Sequence, residues 1–548
     1  SRAIGMYLLQ MLGIFVGRTY DMLTGLGLMA LLLVLQEPER LFDVSFLMSF
    51  GAVLGICILT PVFSEGCWER DADAESEVKG ISAWLRNVAD ILGDSAYERN
   101  KYREGWRKVA YEGIRRMVSA VKGGFAASVG VILFTLPVQL WFFYEIPVYS
   151  VLLNLLVLPF MSAVVAGGIL SLIPGLGIVG TVDCLILWWY EWICERFGEL
   201  PGAVWCVGQP EIWQIVCYYA GIFLLVFGRK YVEAWKRRGT YGEENVPGVI
   251  IHSNRFLHQI ATVMILGLLI GLLTGNFDRG SRVTFLDVGQ GDGIVVETGQ
   301  GAYLFDCGST SRKNIGEYVL KPYLKSRGIC SLRGVFVSHP DEDHMNGILE
   351  LLENGEEWGI TAEQLFLPAI RESERRETFE QLLAAAEDAG IPVSYIKCGD
   401  EIRDSQLRLL CLHPEENTTL ADANAYSECF YVEIFAKKMK QEAIDDRKAN
   451  DASGGSAIGK ISILLTGDVE GEGERQLTQR LQAVQESRSL QESRSLQESW
   501  SLQESQSLQT TRRLQEQRGQ REFRVDILKV AHHGSGYSTG TEFLATAS

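Results

Sequence analysis

The chain has 548 residues, several times the length of a typical single domain, which predicts at least two folding units. Its formal net charge of −17 gives no overall attraction for nucleic acid, so DNA binding would need local basic surface or a metal ion. The eleven cysteines include no CxxC pair, which disfavours a thiolate zinc site and a dense disulfide framework.

The first half of the chain is dominated by apolar runs that predict membrane helices. A helix needs about 20 apolar residues to cross a hydrocarbon core roughly 30 Å thick. A buried soluble core would instead show polar stripes at helical spacing, which runs such as LLLVL lack. The sequence therefore predicts a polytopic α-helical domain in the lipid bilayer over residues 1–278, with about eight helices. The runs lie at 3–17, 23–36, 44–63, 125–144, 148–168, 172–192, 213–228 and 259–275.

The distribution of Lys and Arg predicts how this domain is oriented. Residues 64–122 contain eleven Lys and Arg residues, and residues 229–258 contain RKYVEAWKRRG, whereas residues 145–147 and 197–212 contain neither. Basic loops are retained in the cytoplasm, so 64–122 and 229–258 are predicted to be cytoplasmic. The last span, at 259–275, then delivers the rest of the chain to the outer face of the membrane.

The second half, residues 279–548, alternates short strands with helices. The strand segments include RVTFLDVG, GIVVET, AYLFDCG and GVFVSH, followed by the helical segments MNGILELLENG and RETFEQLLAAAEDAG. The strands LRLLCLHP, CFYVEIF, ISILLTGD and VDILKVAHHGS come next. Strands followed by helices, repeated twice, predict an α/β sandwich.

Two insertions interrupt this pattern. Residues 438–460 are polar and rich in Gly and Ser, which predicts a flexible loop. Residues 487–516 repeat a hexapeptide of the form SRSLQE, at the centre of a low-complexity insertion spanning about 478–520. Six residues advance a helix by about 600°, so the repeated leucines spread over three faces and form no seam. We interpret the repeat as a low-complexity expansion, helical or disordered, without a role in chemistry; a coil that binds a partner is the alternative.

The segment SHPDEDH carries the strongest chemical signal. His339, Asp341, Asp343 and His344 directly follow a predicted buried strand, and His and carboxylate side chains are the ligands of a divalent metal pair. His339 with Asp341 could hold one ion, and Asp343 with His344 the other.

Further ligands are expected at other strand ends. Asp468 follows the strand ISILLTGD, where one carboxylate can bridge two ions, and His532 and His533 end VDILKVAHHGS. A single histidine is more often a surface or core residue than a ligand. Four of the seven histidines, however, lie at strand ends near acidic residues, which favours a site. We expect two divalent ions, zinc or manganese, because these ligands suit both.

These residues resemble the ComEC-type DNA internalization proteins of natural transformation. The motifs LDVGQGDG, LFDCGS, SHPDEDHMNG, LLTGD and LKVAHHGS resemble the metallo-β-lactamase-like domain of that family. The segment EPERLFDVSFLMSFGAVLGI is similar to its competence domain. The resemblance implies an αββα sandwich, and it indicates that the sequence is a fragment lacking both ends of the family's proteins. Relatives place another metal-binding His before the TGD strand, where this chain has Asn424 and Ser427, with His413 nearby.

The resemblance implies uptake of single-stranded DNA across the cytoplasmic membrane. It implies a nuclease domain that degrades the other strand, with Asp343 and Asp468 at the catalytic centre. A separate DNA receptor is expected, and the absence of a GxxxxGK[ST] motif implies a separate ATP-driven motor. A homodimer remains open. Two alternatives also remain: a membrane-bound hydrolase of another phosphodiester or ester, and a non-catalytic transporter with a degenerate metallo-β-lactamase domain.

Overall fold

The chain divides into two compact units, Ser1–Asn276 and Phe277–Ser548. The insertion predicted at 438–460 lies outside the described residues up to residue 458, and the hexapeptide repeat lies outside them beyond residue 501. The computed structural model describes residues 2–17, 21–67, 100–173, 177–239, 255–277, 280–371, 375–416, 424–436, 459–501, 525–535 and 538–547.

The first unit is helical. Two short strands, β1 (Glu145–Pro147) and β2 (Val204–Cys206), pair in antiparallel orientation between helices. Its described helices are α1 (Arg2–Phe15), α2 (Met22–Gln36), α3 (Val44–Ile58), α4 (Thr60–Cys67), α5 (Asn100–Phe143), α6 (Ser150–Ser171), α7 (Gly177–Gly198), α8 (Ile212–Gly239) and α9 (Arg255–Thr274).

Among the described residues, four helical segments are long and apolar enough to cross a membrane, Val44–Phe63, Val121–Phe143, Ser150–Ser171 and Gly177–Gly198. Four further apolar helices are shorter, at Gly5–Phe15, Met22–Gln36, Ile212–Gly228 and Ile260–Thr274. These eight segments correspond to the eight apolar runs of the sequence. The chain is therefore a membrane protein with several apolar helices.

The close approach of α3 and α5 depends on glycine. A Cβ atom on Gly55 would lie 2.5 Å from the carbonyl oxygen of Gly130, so neither position has room for a side chain. Small residues allow helix backbones to meet in lipid, where no hydrophobic driving force brings helices together. Leu59, Leu133 and Leu140 are buried in the cluster beside this contact.

The two basic segments were predicted as loops, but much of each is helical. Helix α5 begins at Asn100, more than 20 residues before its apolar portion at Val121–Phe143, and α8 continues to Gly239. Lys and Arg have good helix propensity, and a helix that is already nucleated extends at little cost. The basic residues of 100–122 and 229–239 therefore continue the membrane helices.

The second unit contains two β-sheets. Its described strands are β3 (Arg282–Phe285), β4 (Gly293–Thr298), β5 (Gly301–Cys307), β6 (Ser331–Phe336), β7 (Thr361–Ala362), β8 (Leu365–Pro368), β9 (Val393–Ile396), β10 (Glu401–Arg403), β11 (Leu407–His413), β12 (Cys429–Ala436), β13 (Gly459–Leu465) and β14 (Ile527–Leu528). Among the described residues the first sheet has the order β3-β4-β5-β6-β8-β9, with β7 beside β6, and the second has the order β10-β11-β12-β13-β14. The first strands of sheet one are antiparallel, whereas β5, β6, β8 and β9 run parallel.

The two sheets pack face to face with helices outside them. Phe305 and Phe336 of the first sheet stack at 4.6 Å between ring centroids, and both meet Phe430 of the second sheet edge-on. Two further apolar clusters cover the outer faces of the sheets. The predicted αββα sandwich is therefore confirmed. The helices are α10 (Lys321–Ser326), α11 (Glu342–Trp358), α12 (Glu377–Asp388), α13 (Glu472–Ser501) and α14 (Thr541–Ala547).

The insertion predicted at 478–520 begins within helix α13. Leu477 and Leu481 of this helix are fully buried against the second sheet, and Gln485 donates a hydrogen bond to the carbonyl of Thr546. The portion of α13 from Glu472 to Gln485 thus belongs to the sandwich, and the low-complexity repeat continues the helix as far as Ser501.

Candidate metal centre

Several strand ends meet at one edge of the sandwich and bring acidic and imidazole side chains together. Strands β5, β6 and β13 run into this edge, and so does β14, which lies parallel to β13. The carboxyl ends of parallel strands share an edge, so residues distant in sequence become neighbours there. The residues so placed are Asp292 before β4, Asp306 in β5, His339 to His344 after β6, Asp468 after β13, and Lys529 and His533 after β14.

His344 lies at the centre of this group, fully buried between two carboxylates. Its Nδ1 lies 3.0 Å from Oδ2 of Asp306, and its Nε2 lies 3.3 Å from Oδ2 of Asp468. The backbone N–H of Ser338 donates to the other oxygen of Asp306 at 2.7 Å, so this carboxylate is held from two sides. Nε2 of His344 is buried, and the carboxylate it faces is that of Asp468. An imidazole oriented at Nδ1, with Nε2 beside a carboxylate, is placed to share a metal ion with that carboxylate.

The buried charges of the site shift one another's pKa values. Burial opposes the charged form of His344, but Asp306 and Asp468 outweigh it and raise the pKa of His344 to about 10. Burial, together with the charge on His344, lowers the pKa of His339 to about 3. Although burial opposes it, the contact with His344 holds the pKa of Asp468 far below its usual range. In the metal-free protein the positive charge therefore lies on His344, at the position where a cation is best accommodated.

Four side chains converge on one point beside His344. Asp343, His344, Asp468 and His533 each offer one ligand atom, and these atoms all lie within 4.8 Å of one another. Nε2 of His533 lies 3.4 Å from Oδ2 of Asp468 and 3.5 Å from Oδ2 of Asp343. The side chain of Asp468 is only 3% exposed and that of His533 is 25% exposed, so the point lies at the rim of the sandwich.

These four residues fit a divalent metal ion. Nε2 of His344 lies beside the Asp468 carboxylate, and two imidazoles with two carboxylates form a four-ligand set suited to zinc, and to manganese as well. Asp306 would then accept the Nδ1–H of His344, which fixes the tautomer of the ring and aims Nε2.

The structure places the other two residues of the SHPDEDH segment beside this point. Nε2 of His339 lies 3.7 Å from Oδ2 of Asp341, and the rings of His339 and His344 are 4.1 Å apart. Nδ1 of His339 is within hydrogen-bond distance of the Ser338 and Ser427 hydroxyls, at 3.1 and 3.3 Å. The group of four ligand atoms contains neither His339 nor Asp341.

The remaining candidates point elsewhere. Nδ1 of His532 lies 3.0 Å from Oε2 of Glu470, and the amide of Asn424 donates to Oε1 of the same Glu470 at 3.5 Å. Nε2 of His413 lies 2.6 Å from the carbonyl oxygen of Ala425, so its proton is on that nitrogen. The side chains of the adjacent residues His532 and His533 thus point in different directions. His532 contacts Glu470, and His533 belongs to the group of four.

Sequence reasoning did not identify three charged residues of this centre. Asp292 belongs to DVGQGD, Asp306 to LFDCG and Lys529 to LKVAHHGS, and each motif had been noted without a role for these side chains. Burial opposes the ammonium form of Lys529, but Asp292 and Asp468 raise its pKa above the ordinary value. An acidic residue within an apolar strand, as in LFDCG, is the signal that could have singled out Asp306.

Glycine at 308 allows the loops of the centre to approach closely. A Cβ atom there would lie 2.4 Å from the carbonyl carbon of Asp343 and 2.5 Å from the carbonyl oxygen of Glu342. The N–H of Gly308 also donates to the carbonyl of Asp292, whose own N–H donates to the carbonyl of Asp343. These contacts fix the DVGQGD loop and the end of β5 against the first turn of α11.

Replacing Asp306 with Asn should weaken metal binding while preserving the fold. The amide cannot accept the Nδ1–H of His344 as strongly, so affinity for Zn²⁺ is expected to fall by roughly tenfold to a hundredfold. Isothermal titration of the chelator-treated protein measures this change. Asp287→Asn is the matched control, because Asp287 is exposed and pairs only with Arg312 among the described residues. Equal affinities for the two variants would contradict the orienting role of Asp306.

Known protein families match a part of each half of the chain. Residues 1–231 match the family model described as Competence protein, and residues 286–382 match that of the Metallo-beta-lactamase superfamily. The chain is 23% identical over 428 residues to ComE operon protein 3 of Bacillus subtilis, covering 75% of this chain and 44% of that protein. It is 23% identical over 446 residues to Recombination protein 2 of Haemophilus influenzae, covering 77% and 44%.

The chain thus spans 44% of the length of each of these two curated relatives. Among solved structures, a metallo-beta-lactamase from Staphylococcus aureus matches with a TM-score of 0.22 and 10% identity, covering 38% of this chain and 52% of that one. The metallo-beta-lactamase fold protein YhfI from Bacillus subtilis matches with a TM-score of 0.20 and 15% identity, covering 34% and 61%. The resemblance expected from the sequence motifs is confirmed by the two family models. Residues 1–231 thus match the competence protein family, and residues 286–382 that follow them match the metallo-β-lactamase superfamily.

Proposed function

We propose that this chain takes up DNA across the cytoplasmic membrane during natural transformation. Its helical unit would be a multi-pass channel for one DNA strand, and its sandwich unit a metal-dependent nuclease that degrades the other. The observation that carries the proposal is the four-residue metal centre, Asp343, His344, Asp468 and His533, in a chain whose first 231 residues match a competence protein family. The names of the two curated relatives, a ComE operon protein and a recombination protein, support a role in DNA handling.

The chemistry of the site suits hydrolysis of a phosphodiester. A divalent ion held there lowers the pKa of water and stabilises negative charge that develops on the phosphate. In the reaction a bond forms between the water oxygen and phosphorus, and the bond from phosphorus to the leaving oxygen breaks. Asp306 keeps the His344 ring aimed at the reacting centre, and the partly exposed side chains of Asp343 and His533 lie where substrate can reach them.

The proposed orientation places the sandwich unit on the outer face of the membrane. The basic residues within 64–122 and 229–258 would be retained in the cytoplasm, and the last apolar helix would lead outward. Partners in this proposal are single-stranded DNA, a separate DNA receptor and an ATP-driven motor. A homodimer is compatible with it.

A non-catalytic transporter is the second candidate. The observation that favours it is the placement of Asn424, His413 and His532, each bonded away from the group of four. In that case the sandwich would bind metal or DNA without hydrolysis. A membrane-bound hydrolase of smaller phosphodiesters or esters would retain the same centre but not need eight apolar helices.

The full chain, purified in detergent, should cleave single-stranded DNA when supplied with Mn²⁺ or Zn²⁺. Asp468→Ala should abolish this cleavage, because Asp468 contacts both His344 and His533 in the centre. Asn424→Ala is the control and should retain activity within a few-fold, since Asn424 is bonded to Glu470 outside the group of four. Gel analysis of labelled DNA measures both.

Three outcomes of this experiment would count against the nuclease. Cleavage of bis(p-nitrophenyl) phosphate without cleavage of DNA would favour the smaller-substrate hydrolase. No metal-dependent cleavage by the parent chain would favour the non-catalytic transporter. Equal residual activity in Asp468→Ala and Asn424→Ala would remove Asp468 from the centre of the reaction.

Cysteine labelling in intact cells tests the proposed orientation. In a variant cleared of its other cysteines, Lys236→Cys should resist an impermeant maleimide and Lys313→Cys should react with it. The reason is that Lys236 lies in the basic segment retained inside, whereas Lys313 is exposed on the sandwich unit beyond the last span. Permeabilised cells, in which both should react, provide the control. Protection of both positions in intact cells would place the sandwich unit in the cytoplasm.

A further inference from the structure

The ammonium group of Lys529 lies within the metal centre itself. The residue is only 9% exposed, and its Nζ donates to the carbonyl of Gly467 at 2.6 Å and to Oδ1 of Asp468 at 3.2 Å. A third contact is an ion pair with Oδ2 of Asp292. An ammonium group has three N–H donors, and three acceptors surround this one.

The two carboxylate oxygens of Asp468 have different partners. Oδ1 faces Lys529, while Oδ2 faces Nε2 of His344 at 3.3 Å and Nε2 of His533 at 3.4 Å. A carboxylate that bridges two ions through both oxygens needs both oxygens free. Here one oxygen is already paired with a fixed positive charge, and the other points at the group of four.

The side of the centre near His339 offers fewer ligand atoms for a metal ion than the group of four does. Oδ1 of Asp341 accepts a hydrogen bond from Arg376 at 3.0 Å, and His339 uses Nδ1 toward the two neighbouring serine hydroxyls. His413 and Asn424, which stand near the position of the relatives' additional His, are bonded to Ala425 and Glu470. A second group of candidate ligands, Asp292, Asp306 and His344, is paired internally, because Asp306 bonds Nδ1 of His344 and Asp292 pairs with Lys529. His339 and Asp341 alone would hold an ion weakly.

We propose that the centre holds one tightly bound divalent ion, between Asp343, His344, Asp468 and His533, and that Lys529 supplies the second positive charge. This inference rests on the proposed metal-dependent function and fixes its stoichiometry. The positive charge of Lys529 balances the negative charges of Asp292 and Asp468. Without Lys529, a second metal ion would have to supply that positive charge. Leaving two buried carboxylates without a cation would be costly, so the ammonium group also stabilises the metal-free fold.

The metal content of the full chain in detergent tests the proposal directly. After chelation, reloading with Zn²⁺ or Mn²⁺ and removal of loosely bound ions, mass spectrometry of the metal should give one ion per chain. Two tightly bound ions per chain would overturn the proposal, whether or not the protein cleaves DNA. Absence of DNA cleavage with one bound ion would instead contradict the nuclease and leave the stoichiometry intact.

A matched pair of variants identifies the ligands. Asp343→Ala should lower the affinity for the ion by roughly a hundredfold or more, because losing a metal ligand costs at least as much affinity as losing a residue that orients a ligand. Asp341→Ala should leave the affinity within about threefold of the parent, because Asp341 is not one of the four ligands. The two carboxylates lie two residues apart, at the N-cap and in the first turn of α11, so the comparison controls for local disturbance. Equal losses in the two variants would contradict the assignment.

Lys529→Met tests the role of the ammonium group. Methionine keeps much of the length and removes the charge, so this variant should take up a second ion and bind two per chain. Lys397→Met is the control, because Lys397 forms an exposed ion pair with Glu416 and should leave the count at one. An unchanged count in a folded Lys529→Met variant would overturn the role of Lys529. If that variant fails to fold, the parent count and the aspartate pair still decide the stoichiometry.

Discussion

The hydrogen bond between His344 and Asp306 is the interaction on which the centre depends. Both side chains are buried beneath the edge of the sandwich, and Asp306 is fixed in turn by the N–H of Ser338. With Nδ1 committed to Asp306, Nε2 of His344 faces Oδ2 of Asp468 and the common point of the four ligands. A metal ion bound there would displace the proton of Nε2 and take over from the imidazolium the compensation of the Asp468 charge.

The sandwich produces this arrangement through its topology. Asp306 ends an antiparallel hairpin of the first sheet, His344 begins the helix after the next strand, and Asp468 follows a strand of the second sheet. The aromatic contacts of Phe305 and Phe336 with Phe430 hold the sheets together directly beneath. Residues separated by more than 100 positions in sequence are therefore held at hydrogen-bond distance. Helix packing in the other unit follows a different rule, in which glycine removes side chains to bring backbones together.

Sequence patterns predicted the architecture and the neighbourhood of the site but not its detailed connections. Alternating apolar strands followed by acidic or imidazole residues were enough to predict a sandwich with a site at its edge. The difference between His532 and His533 could not be predicted, because both residues have positive φ angles, 47° and 50°, where the alternation of an extended strand does not apply. Asp306, also at a positive φ of 51°, was hidden within an apolar run. The helical continuation of 100–122 was missed for another reason: basic charge predicts the side of the membrane, not the backbone conformation.

X-ray absorption spectroscopy at the zinc edge of the reloaded chain tests the four-residue centre most directly. We expect a shell of nitrogen and oxygen at about 2.0–2.2 Å, with the outer-shell scattering of two imidazole rings, those of His344 and His533, and no sulfur. A shell with a single imidazole, with three or more imidazoles, or with a thiolate would contradict the four-residue centre.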